Sequence, residues 1–358
     1  MQRRTVFESC LCSLLLSLSC RDVSGDVRMR VFAPDAGGKY ELVDTPVSKV
    51  TSVRELSSDR FNFRKNAGIE LGFGGRLQKH RGNAFALNFH LENGVVVTDD
   101  QESLFAATAF AHLSRTAQAL EAVGLPPYPS MEVLFHPRID SFAGDLRFIL
   151  QYNAAYASDP LDLFLIVPGA TDGLPFFSNL GVVAHEYGHS VINHLSLHGV
   201  MKSRSVDSMN EGVADLIGYA VTGRPSFIAD SIWNDKLLAK LDRDLSKPKT
   251  YTTKNLEQLK SPTASFVPHF HGAILAAAVF ESLSKDDSGA VSEATRRELA
   301  ATIIATLQSD PFRNEGNALN EFVTAYVAHL STERRANACS VFNQRLAPLG
   351  PFSSCEGQ

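Results

Sequence analysis

Short segments in which hydrophobic and polar residues alternate dominate the first part of the chain. They lie at residues 28–32, 40–43, 68–73 and 83–97, and Gly, Asp and Asn separate them. A period of two between turn-forming residues is typical of β-strands that bury one face. This part of the chain is therefore predicted to be rich in β-strands.

A helical period follows. Apolar residues recur every three or four positions over residues 104–123, and the sequence Gly-Leu-Pro-Pro at residues 124–127 stops the helix. Residues 131–135, 146–152 and 162–167 are short apolar runs with the length of strands. The middle of the chain thus predicts one long helix and then further strands.

Beyond residue 180 the pattern is mainly helical, with apolar faces at residues 211–221, 271–283, 291–307 and 318–330. Strands that come first and helices that follow predict an α+β fold. We expect a β-rich N-terminal lobe and a mainly helical C-terminal lobe. A ligand would lie in the cleft between them.

Composition narrows the class of protein. The 358 residues are 44% hydrophobic and 20% charged, as in a globular protein with a core, and the net charge is −5. A negative chain lacks the basic surface that nucleic acid requires. We therefore expect no nucleic-acid partner, and we expect a monomer.

The N-terminus has the pattern of an export signal. Arg3 and Arg4 precede a leucine-rich apolar run at residues 10–19, which is too short to span a membrane. We predict a signal peptide at residues 1–19 and an exported protein. The residues up to Cys20 resemble a bacterial lipobox, and a lipid on Cys20 would attach the protein to the membrane of the cell envelope. Without that lipid, the mature protein would be extracellular.

Removal of the signal peptide simplifies the pairing of cysteines. Cys10 and Cys12 leave with it, Cys20 is lipidated or free, and Cys339 and Cys355 remain in an exported chain. We predict a disulfide between the last two, which would close a loop of about 15 residues and add ~3 kcal/mol of stability. The alternative is a pair of free thiols.

The sequence His-Glu-Tyr-Gly-His at residues 185–189 carries the main chemical signal. On a helix, His185 and His189 are one turn apart, so both imidazoles leave the same face and can bind one Zn²⁺. Glu186 lies beside them, where a carboxylate can act as the base that takes a proton from water. The alternative is a hydrogen-bonded histidine pair in the core. Without a metal, such a buried cluster would leave polar groups unsatisfied at ~1–3 kcal/mol each.

A second acidic pair lies downstream. Glu211 and Asp215 are four residues apart and share a face of a predicted helix. Glu211 can be the third protein ligand, which leaves the fourth position of a tetrahedral zinc open, as in a catalytic site. Asp215 can accept the second N–H of a zinc-binding histidine, and we assign it to His185. A solvated acidic face is the alternative, but this helix is largely apolar.

These two segments resemble the zinc-binding motifs of the thermolysin-like metallopeptidases, which belong to the Glu-zincin group. Residues 153–156, Asn-Ala-Ala-Tyr, resemble the edge strand with which that family binds its substrate. Residues 269–281 resemble its late histidine and the small-residue helix after it. The His-Glu-Tyr-Gly-His sequence and the register after His269 are closer to the fungalysin branch. The similarity covers residues 95–330.

One further segment resembles this family weakly, and one residue of the family's site has no counterpart here. Residues 104–124, which contain His112, resemble the long helix near the start of the catalytic domain. The tyrosine that the family aims at the oxyanion, between its two zinc helices, has no counterpart in residues 190–210. His194 and His198 lie in that stretch and could take its place.

The resemblance implies a zinc-dependent endopeptidase that acts on a peptide or protein substrate, with Zn²⁺ as its cofactor. It implies Glu186 as the general base, and His269 or else His271 as the residue that stabilises the oxyanion. An extended substrate would pair by strand addition with three edge-strand residues. These are Asn153, Ala154 and Tyr156.

The implied fold is a two-lobed zincin with the metal in the cleft. We predict a signal peptide at residues 1–19, an N-terminal tether and β-rich region at 20–95, and a metallopeptidase domain at 96–358. The β-rich lobe of that domain would end near residue 180. Two alternatives differ in function: a zinc-binding but non-catalytic surface lipoprotein of the same fold, and a zinc hydrolase that acts on substrates other than peptides.

Overall fold

The computed structural model describes residues 22–35, 38–71, 77–127, 129–141, 154–158, 161–167, 174–197, 203–231, 243–285, 289–309, 311–312 and 315–356. Several sequence predictions lie outside these residues. They are the signal peptide, Cys10, Cys12, Cys20, the strand at 146–152, Asn153 and His198.

Thirteen strands occur in the described residues. They are β1 (Gly25–Pro34), β2 (Tyr40–Ser52), β3 (Ser57–Ser58), β4 (Phe61–Lys65), β5 (Gly68–Leu71), β6 (Leu77–His80), β7 (Asn83–Ala84), β8 (Phe89–Glu92), β9 (Val95–Thr98), β10 (Met131–Phe135), β11 (Arg138–Ser141), β12 (Ala154–Ala157) and β13 (Leu163–Ile166).

Ten of these strands form one large sheet, in the order β12-β13-β10-β4-β3-β2-β1-β9-β8, with β7 paired to β4. The other three form a small sheet in the order β11-β5-β6. In the large sheet, β10 runs parallel to both β4 and β13, whereas β12 runs antiparallel to β13 and lies at the end of the described order. The sheet therefore presents β12 as an edge strand.

The first two strands belong to the core of the sheet. Along β1, Val27, Met29 and Val31 are buried and alternate with more exposed residues. β1 pairs antiparallel with β2, where Val31 lies opposite Val43. This alternation buries one face of the strand, as the sequence pattern predicts. Residues 25–34 and 40–52 are therefore part of the main sheet, in the region that the sequence predicted to be rich in β-strands.

The predicted boundary near residue 95 does not separate two sheets. Phe61 of β4 lies opposite Met131 of β10, so strands from both sides of the boundary are direct neighbours. One hydrophobic cluster also runs from Val27 in β1 to Cys355 near the C-terminus. The described residues on both sides thus share a sheet and a core.

Eight α-helices occur in the described residues. They are α1 (Gln101–Glu121), α2 (Leu180–Ile192), α3 (Arg204–Thr222), α4 (Thr253–Lys260), α5 (Pro268–Glu281), α6 (Glu293–Gln308), α7 (Ala318–His329) and α8 (Thr332–Arg345). A single π-helical turn at Asn193–Leu197 continues α2. None of these helices is both long and apolar enough to cross a membrane.

The arrangement combines one large mixed sheet with helices that mostly follow it in the chain, which agrees with the α+β prediction. Helix α1 covers the sheet, and its Phe110 meets Phe63 of β4 edge to face at 5.6 Å. Asp100 caps the helix by accepting from the backbone N–H of Ser103 at 2.7 Å. The helix begins three residues before the predicted residue 104.

Helix α4 and strands β6 and β11 have no counterpart among the predicted segments. Two further differences have local causes. The predicted strand at residues 83–97 is three short strands, because Asn93 and Gly94 have φ angles of +52° and +80° and form a tight hairpin turn. Helix α8 has no counterpart among the predicted segments. Its buried residues are only Ala338, Cys339 and Phe342, too few to produce an apolar period.

Helix α3 packs closely against both α2 and α5 at positions where the residue in contact is glycine. A Cβ atom added to Gly212 of α3 would lie 2.6 Å from the carbonyl oxygen of Gly272 in α5. One added to Gly188 of α2 would lie 3.0 Å from the Cα atom of Ala214. Close packing of α3 between the other two helices therefore requires glycine at these contacts.

We expect Gly212→Ala to separate α3 from α5. Accommodating the new methyl group should lower the free energy of unfolding by about 1–3 kcal/mol, the usual cost of overpacking. Urea denaturation of the metal-free protein measures this loss. Gly68→Ala is the matched control, because the nearest atom to its added Cβ is an ordinary 3.4 Å away. Equal stability of the two variants would contradict the close-packing argument.

The predicted disulfide is confirmed. Cys339 and Cys355, which are 16 residues apart, are bonded with a Cα–Cα distance of 5.4 Å. Both residues are buried, and the bond joins α8 to the last described segment of the chain. The link therefore fastens the C-terminal segment to the helical part of the core.

We expect the double variant Cys339→Ala, Cys355→Ala to lose about 3 kcal/mol of unfolding free energy, because a loop of this length constrains the unfolded chain by that amount. Urea denaturation without reductant gives the value. Adding reductant should destabilise the wild-type protein by a similar amount and leave the variant unchanged. A wild-type protein insensitive to reductant would refute this estimate.

Candidate metal centre

Helix α2 places the two motif histidines side by side. Asn179 caps the helix by accepting from the N–H groups of Gly181 and Val182, at 2.9 and 3.3 Å. The rings of His185 and His189 then leave the same face, with centroids 4.6 Å apart. Their Nε2 atoms approach each other to 3.1 Å.

Helix α3 brings Glu211 to the same point. One carboxylate oxygen lies 3.4 Å from Nε2 of His185, and the other lies 3.8 Å from Nε2 of His189. Donor atoms at the corners of a tetrahedral metal site with bonds of ~2.0–2.1 Å are roughly 3.3–3.4 Å apart. The separations between the three side chains are therefore close to those of a tetrahedral zinc site.

The outer nitrogens of both rings face oxygen atoms. Nδ1 of His189 is 2.9 Å from Oδ1 of Asn210, and Nδ1 of His185 is 3.0 Å from Oδ1 of the fully buried Asp215. The N–H on Nδ1 of His185 does not point at the Asp215 oxygen. The contact between these two residues is therefore an electrostatic pairing rather than a linear hydrogen bond. Both contacts favour a proton on Nδ1 and a lone pair on Nε2.

This proton arrangement fits a bound cation. With protons on the outer nitrogens, two Nε2 lone pairs and a carboxylate face one another across the centre of the cluster. The oxygens of Asp215 are buried without a hydrogen-bond partner, so that carboxylate requires positive charge nearby, which His185 and Arg243, 3.5 Å away, are placed to supply. A metal ion between the three donors would satisfy both requirements.

The pKa shifts have the same direction. Burial and Arg243 would lower the pKa of His185, but Asp215 and Glu211 outweigh them and raise it to about 9. Burial would raise the pKa of Glu211, yet the neighbouring His189, His185 and His269 place it well below its usual range. The cluster thus favours positive charge at His185 and negative charge at Glu211, so the surroundings of the ring are electrostatically suited to a cation.

Glu186 lies close to the histidines but has its own anchor. Its carboxylate and the ring nitrogens of His185 and His189 all lie within 4.8 Å of one another, a group that could hold a metal ion. Oε2 of Glu186 accepts from the backbone N–H of Tyr156 at 3.0 Å. The edge strand β12 therefore orients this carboxylate.

The orientation of β12 follows from the same contact. Because the N–H of Tyr156 points to Glu186, it points away from the neighbouring strand β13, and the backbone groups of Ala154 two residues earlier point the same way. Of the three predicted substrate-binding residues, Ala154 and Tyr156 therefore lie on the edge beside the cluster. Asn153 lies outside the described residues.

The structure places the two late histidines differently. Nδ1 of His269 is 2.5 Å from Oε2 of Glu211, and the side chain is 51% exposed. His271 is buried, with its Nδ1 2.8 Å from the hydroxyl of Tyr251 and its ring beside Phe266 and Phe270. The contacts found for His271 thus lie within the hydrophobic core, and His269 is the histidine that lies at the metal cluster.

Arg243 is a member of the site that the sequence did not suggest. Its guanidinium nitrogens lie 3.2 Å from Glu211, 3.5 Å from Asp215 and 2.8 Å from Nδ1 of His269. No periodic pattern or motif surrounds this residue, so no sequence signal indicated it. Asn210 was also missed, although it directly precedes Glu211.

His194 does not lie among these ligands. Its Nε2 atom is 3.1 Å from Oδ1 of Asp162, on the far side of Tyr156. His112 is fully buried in α1, where Nε2 lies 3.0 Å from the carbonyl oxygen of Ser178 and burial lowers its pKa to about 4. These contacts give His112 a place in the packing between α1 and the segment before α2.

Comparisons with known protein families and with curated proteins identify no relative of this chain. A scan against models of known protein families finds no match, and neither does a search of curated proteins. The function of the protein is therefore inferred from its side chains and their geometry.

We expect Asn210→Ala to weaken zinc binding about 10- to 100-fold, the usual effect of removing the group that orients a ligating histidine. A competition titration against a chromophoric chelator measures the affinity. Asn83→Ala, at an exposed position in β7, serves as the control. Unaltered affinity in the Asn210 variant would show that this contact does not orient His189.

Proposed function

We propose that this protein is a zinc-dependent endopeptidase with a two-lobed zincin fold. The observation that carries the proposal is the convergence of His185, His189 and Glu211, with the carboxylate of Glu186 adjacent to both rings. Three nitrogen and oxygen ligands suit Zn²⁺ and leave one position for water or substrate. A zinc site that serves only structure is normally closed by four protein ligands.

The proposed cleft lies between the sheet and the helices. Strand β12 forms one wall, and α2, α3 and the start of α5 supply the residues opposite it. In this proposal β12 is the edge strand of the β-rich lobe, and helices α3 to α8 make up the helical lobe. An extended ligand between these walls would lie directly over the metal cluster.

Glu186 is the general base of the proposed reaction. When bound, the metal lowers the pKa of a water molecule and polarises the scissile carbonyl. Glu186 takes the proton from that water and later passes it to the leaving amine. The hydrogen bond from Tyr156 N–H orients this carboxylate beside the two histidine rings.

The edge of β12 supports a peptide as the substrate. The outward backbone groups of Ala154 can pair with an extended peptide beside Tyr156, whose N–H already donates to Glu186. We include Asn153 and Tyr156 in the substrate-binding set from the sequence resemblance. Strand addition depends on backbone hydrogen bonds, so it selects for peptides over other hydrolysable compounds. This feature favours a peptidase over a zinc hydrolase with another substrate.

His269 is the proposed donor to the oxyanion. It lies in the first turn of α5 with a half-exposed side chain, next to the ligand Glu211. A protonated imidazole there can donate to the negative oxygen that develops at the scissile carbonyl. Arg243 adds positive charge beside it and balances the two carboxylates of Glu211 and Asp215.

The remaining expectations concern location. We propose an exported protein, either attached to the cell envelope through Cys20 or extracellular. The Cys339–Cys355 disulfide supports export, because such bonds persist mainly in oxidising compartments. A monomer that acts on peptide or protein substrates remains our expectation.

The decisive experiment uses Glu186→Gln. This change keeps the size of the side chain but removes the base, so zinc content should stay stoichiometric while turnover of a quenched fluorescent peptide falls about 10²- to 10⁴-fold. The wild-type protein should lose activity with a chelator and regain it when zinc is added. Glu257→Gln, at an exposed position in α4, is the control.

The alternatives give different results in this experiment. A non-catalytic zinc-binding lipoprotein would bind stoichiometric zinc and show no turnover in the wild-type protein. Undiminished turnover in Glu186→Gln would refute the role of the base. Purified protein without stoichiometric metal would refute the metal centre itself.

A further inference from the structure

A second cluster of polar side chains lies next to the proposed base, and the reaction described above uses none of these side chains. The hydroxyl of Tyr156 donates to Oδ1 of Asp162 at 2.7 Å, and Nδ2 of Asn193 donates to that hydroxyl at 3.1 Å. Nε2 of His194 lies 3.1 Å from the same Asp162 oxygen. We call Tyr156, Asp162, Asn193 and His194 the tyrosine anchor.

The tyrosine anchor joins two elements that the site requires to be aligned. Tyr156 belongs to the edge strand β12, and Asp162 directly precedes β13. Asn193 and His194 belong to the π-helical turn that continues α2, the helix with the metal-binding histidines. Single π-helical turns often occur at functional sites. The anchor therefore connects the strand that would bind substrate to the helix that would bind the metal.

The backbone at Asp162 indicates that the anchor is constrained. Its φ angle is +44°, in the left-handed region that residues other than glycine rarely adopt. Such a conformation persists only where the surroundings compensate for it, and such residues cluster at functional sites. Here the compensation is the pair of contacts that Oδ1 of Asp162 makes with Tyr156 and His194.

Asp162 remains charged in this setting. The hydrogen bond from His194 lowers the pKa of the Asp162 carboxyl, partial burial opposes that shift, and the hydroxyl of Tyr156 lowers the pKa further. An ionised carboxylate accepts stronger hydrogen bonds than a neutral acid does. The hydroxyl of Tyr156 is thus held as a donor toward Asp162.

The anchor acts on the same residue whose backbone meets the base. The side chain of Tyr156 is fixed by Asp162 and Asn193, and its backbone N–H donates to Glu186 at 3.0 Å. Within the described part of the chain, strand β12 comprises four residues and pairs with β13 alone, so few hydrogen bonds found there fix it. The position of the Tyr156 ring therefore determines how steadily its N–H meets the Glu186 carboxylate.

We propose that Asp162 and His194 are positioning residues for the general base. They hold the Tyr156 side chain so that its backbone N–H keeps Glu186 in the orientation for proton transfer. This inference rests on the proposed peptidase function. It predicts an effect on turnover, with little effect on zinc binding or on substrate affinity.

The following variants change the side chains of the tyrosine anchor and keep the backbone of β12. Tyr156→Phe removes the hydroxyl and keeps the ring. Asp162→Asn removes the charge, and Asp162→Gly removes the side chain, while both replacements tolerate the left-handed backbone. His194→Gln keeps a donor that His194→Ala lacks, so it should restore part of the lost rate. Tyr326→Phe, at a buried position in α7, is the matched control.

In the zinc-loaded protein, we expect Tyr156→Phe and Asp162→Gly to lower kcat about tenfold, a fraction of the 10²- to 10⁴-fold that a general base supplies. KM and the zinc dissociation constant should stay within about twofold of the wild-type values, because the ligands and the backbone edge remain. The control variant should match the wild-type protein in all three quantities.

A second measurement does not need activity. Hydrogen exchange of the peptide that spans residues 154–158, followed by mass spectrometry in the metal-free protein, reports how firmly the Tyr156 amide is held. We expect faster exchange in Tyr156→Phe, Asp162→Gly and His194→Ala, and exchange close to wild type in His194→Gln. The exchange of peptides from α7 should be the same in all of these variants.

The outcomes distinguish this inference from the proposed function. Unchanged kcat and unchanged exchange in an active protein would overturn the inference and leave the peptidase intact. Loss of zinc or a parallel rise in KM would also overturn it, since the cluster would then be a general structural support. A wild-type chain with no zinc-dependent turnover would overturn the proposed function, and this inference with it.

Discussion

Two imidazole nitrogens and a carboxylate face one another at 3.1, 3.4 and 3.8 Å, and the rest of the site depends on that contact. The outer nitrogens of His185 and His189 face Asp215 and Asn210, so their lone pairs point inward at Glu211. Three electron-rich groups at this distance repel one another unless a proton or a metal ion lies between them. The carboxylates of Asp215 and Glu211 raise the pKa of His185, and Arg243 adds further positive charge beside the fully buried Asp215.

Close helix packing makes this contact geometrically available. Helix α3 brings Glu211 against α2 where Gly188 of α2 packs on Ala214, and Gly212 of α3 lies directly on Gly272 of α5 with no side chain between the two backbones. The same approach places His269, at the start of α5, within 2.5 Å of Glu211. Arg243 then enters between the carboxylates and limits the accumulation of negative charge. The candidate metal centre therefore depends on helix packing as much as on its motif.

The sheet contributes the other half of the site. Strand β12 is positioned by β13 and β10, and β10 in turn pairs with β4 from the first part of the chain. Strand β4, from the part of the chain before residue 95, thus belongs to the same run of paired strands as the edge that meets Glu186. Through Tyr156, that edge is also tied to the end of α2, so the proposed base is oriented by a strand while the ligands are oriented by helices.

The sequence by itself determined the local features: the strand-rich beginning, the helical second half, the His185–His189 face, the acidic pair Glu211 and Asp215, and the cysteine pair. Each depends on spacing within one element or on simple counting, which a linear pattern records. Only the tertiary structure decided between His269 and His271, added Arg243 and Asn210 to the centre, and joined residues 25–52 to the main sheet. Those outcomes depend on which elements pack together and which way a side chain then points. Contacts between residues far apart in the chain, such as Glu211 and His269, leave no periodic trace in the sequence.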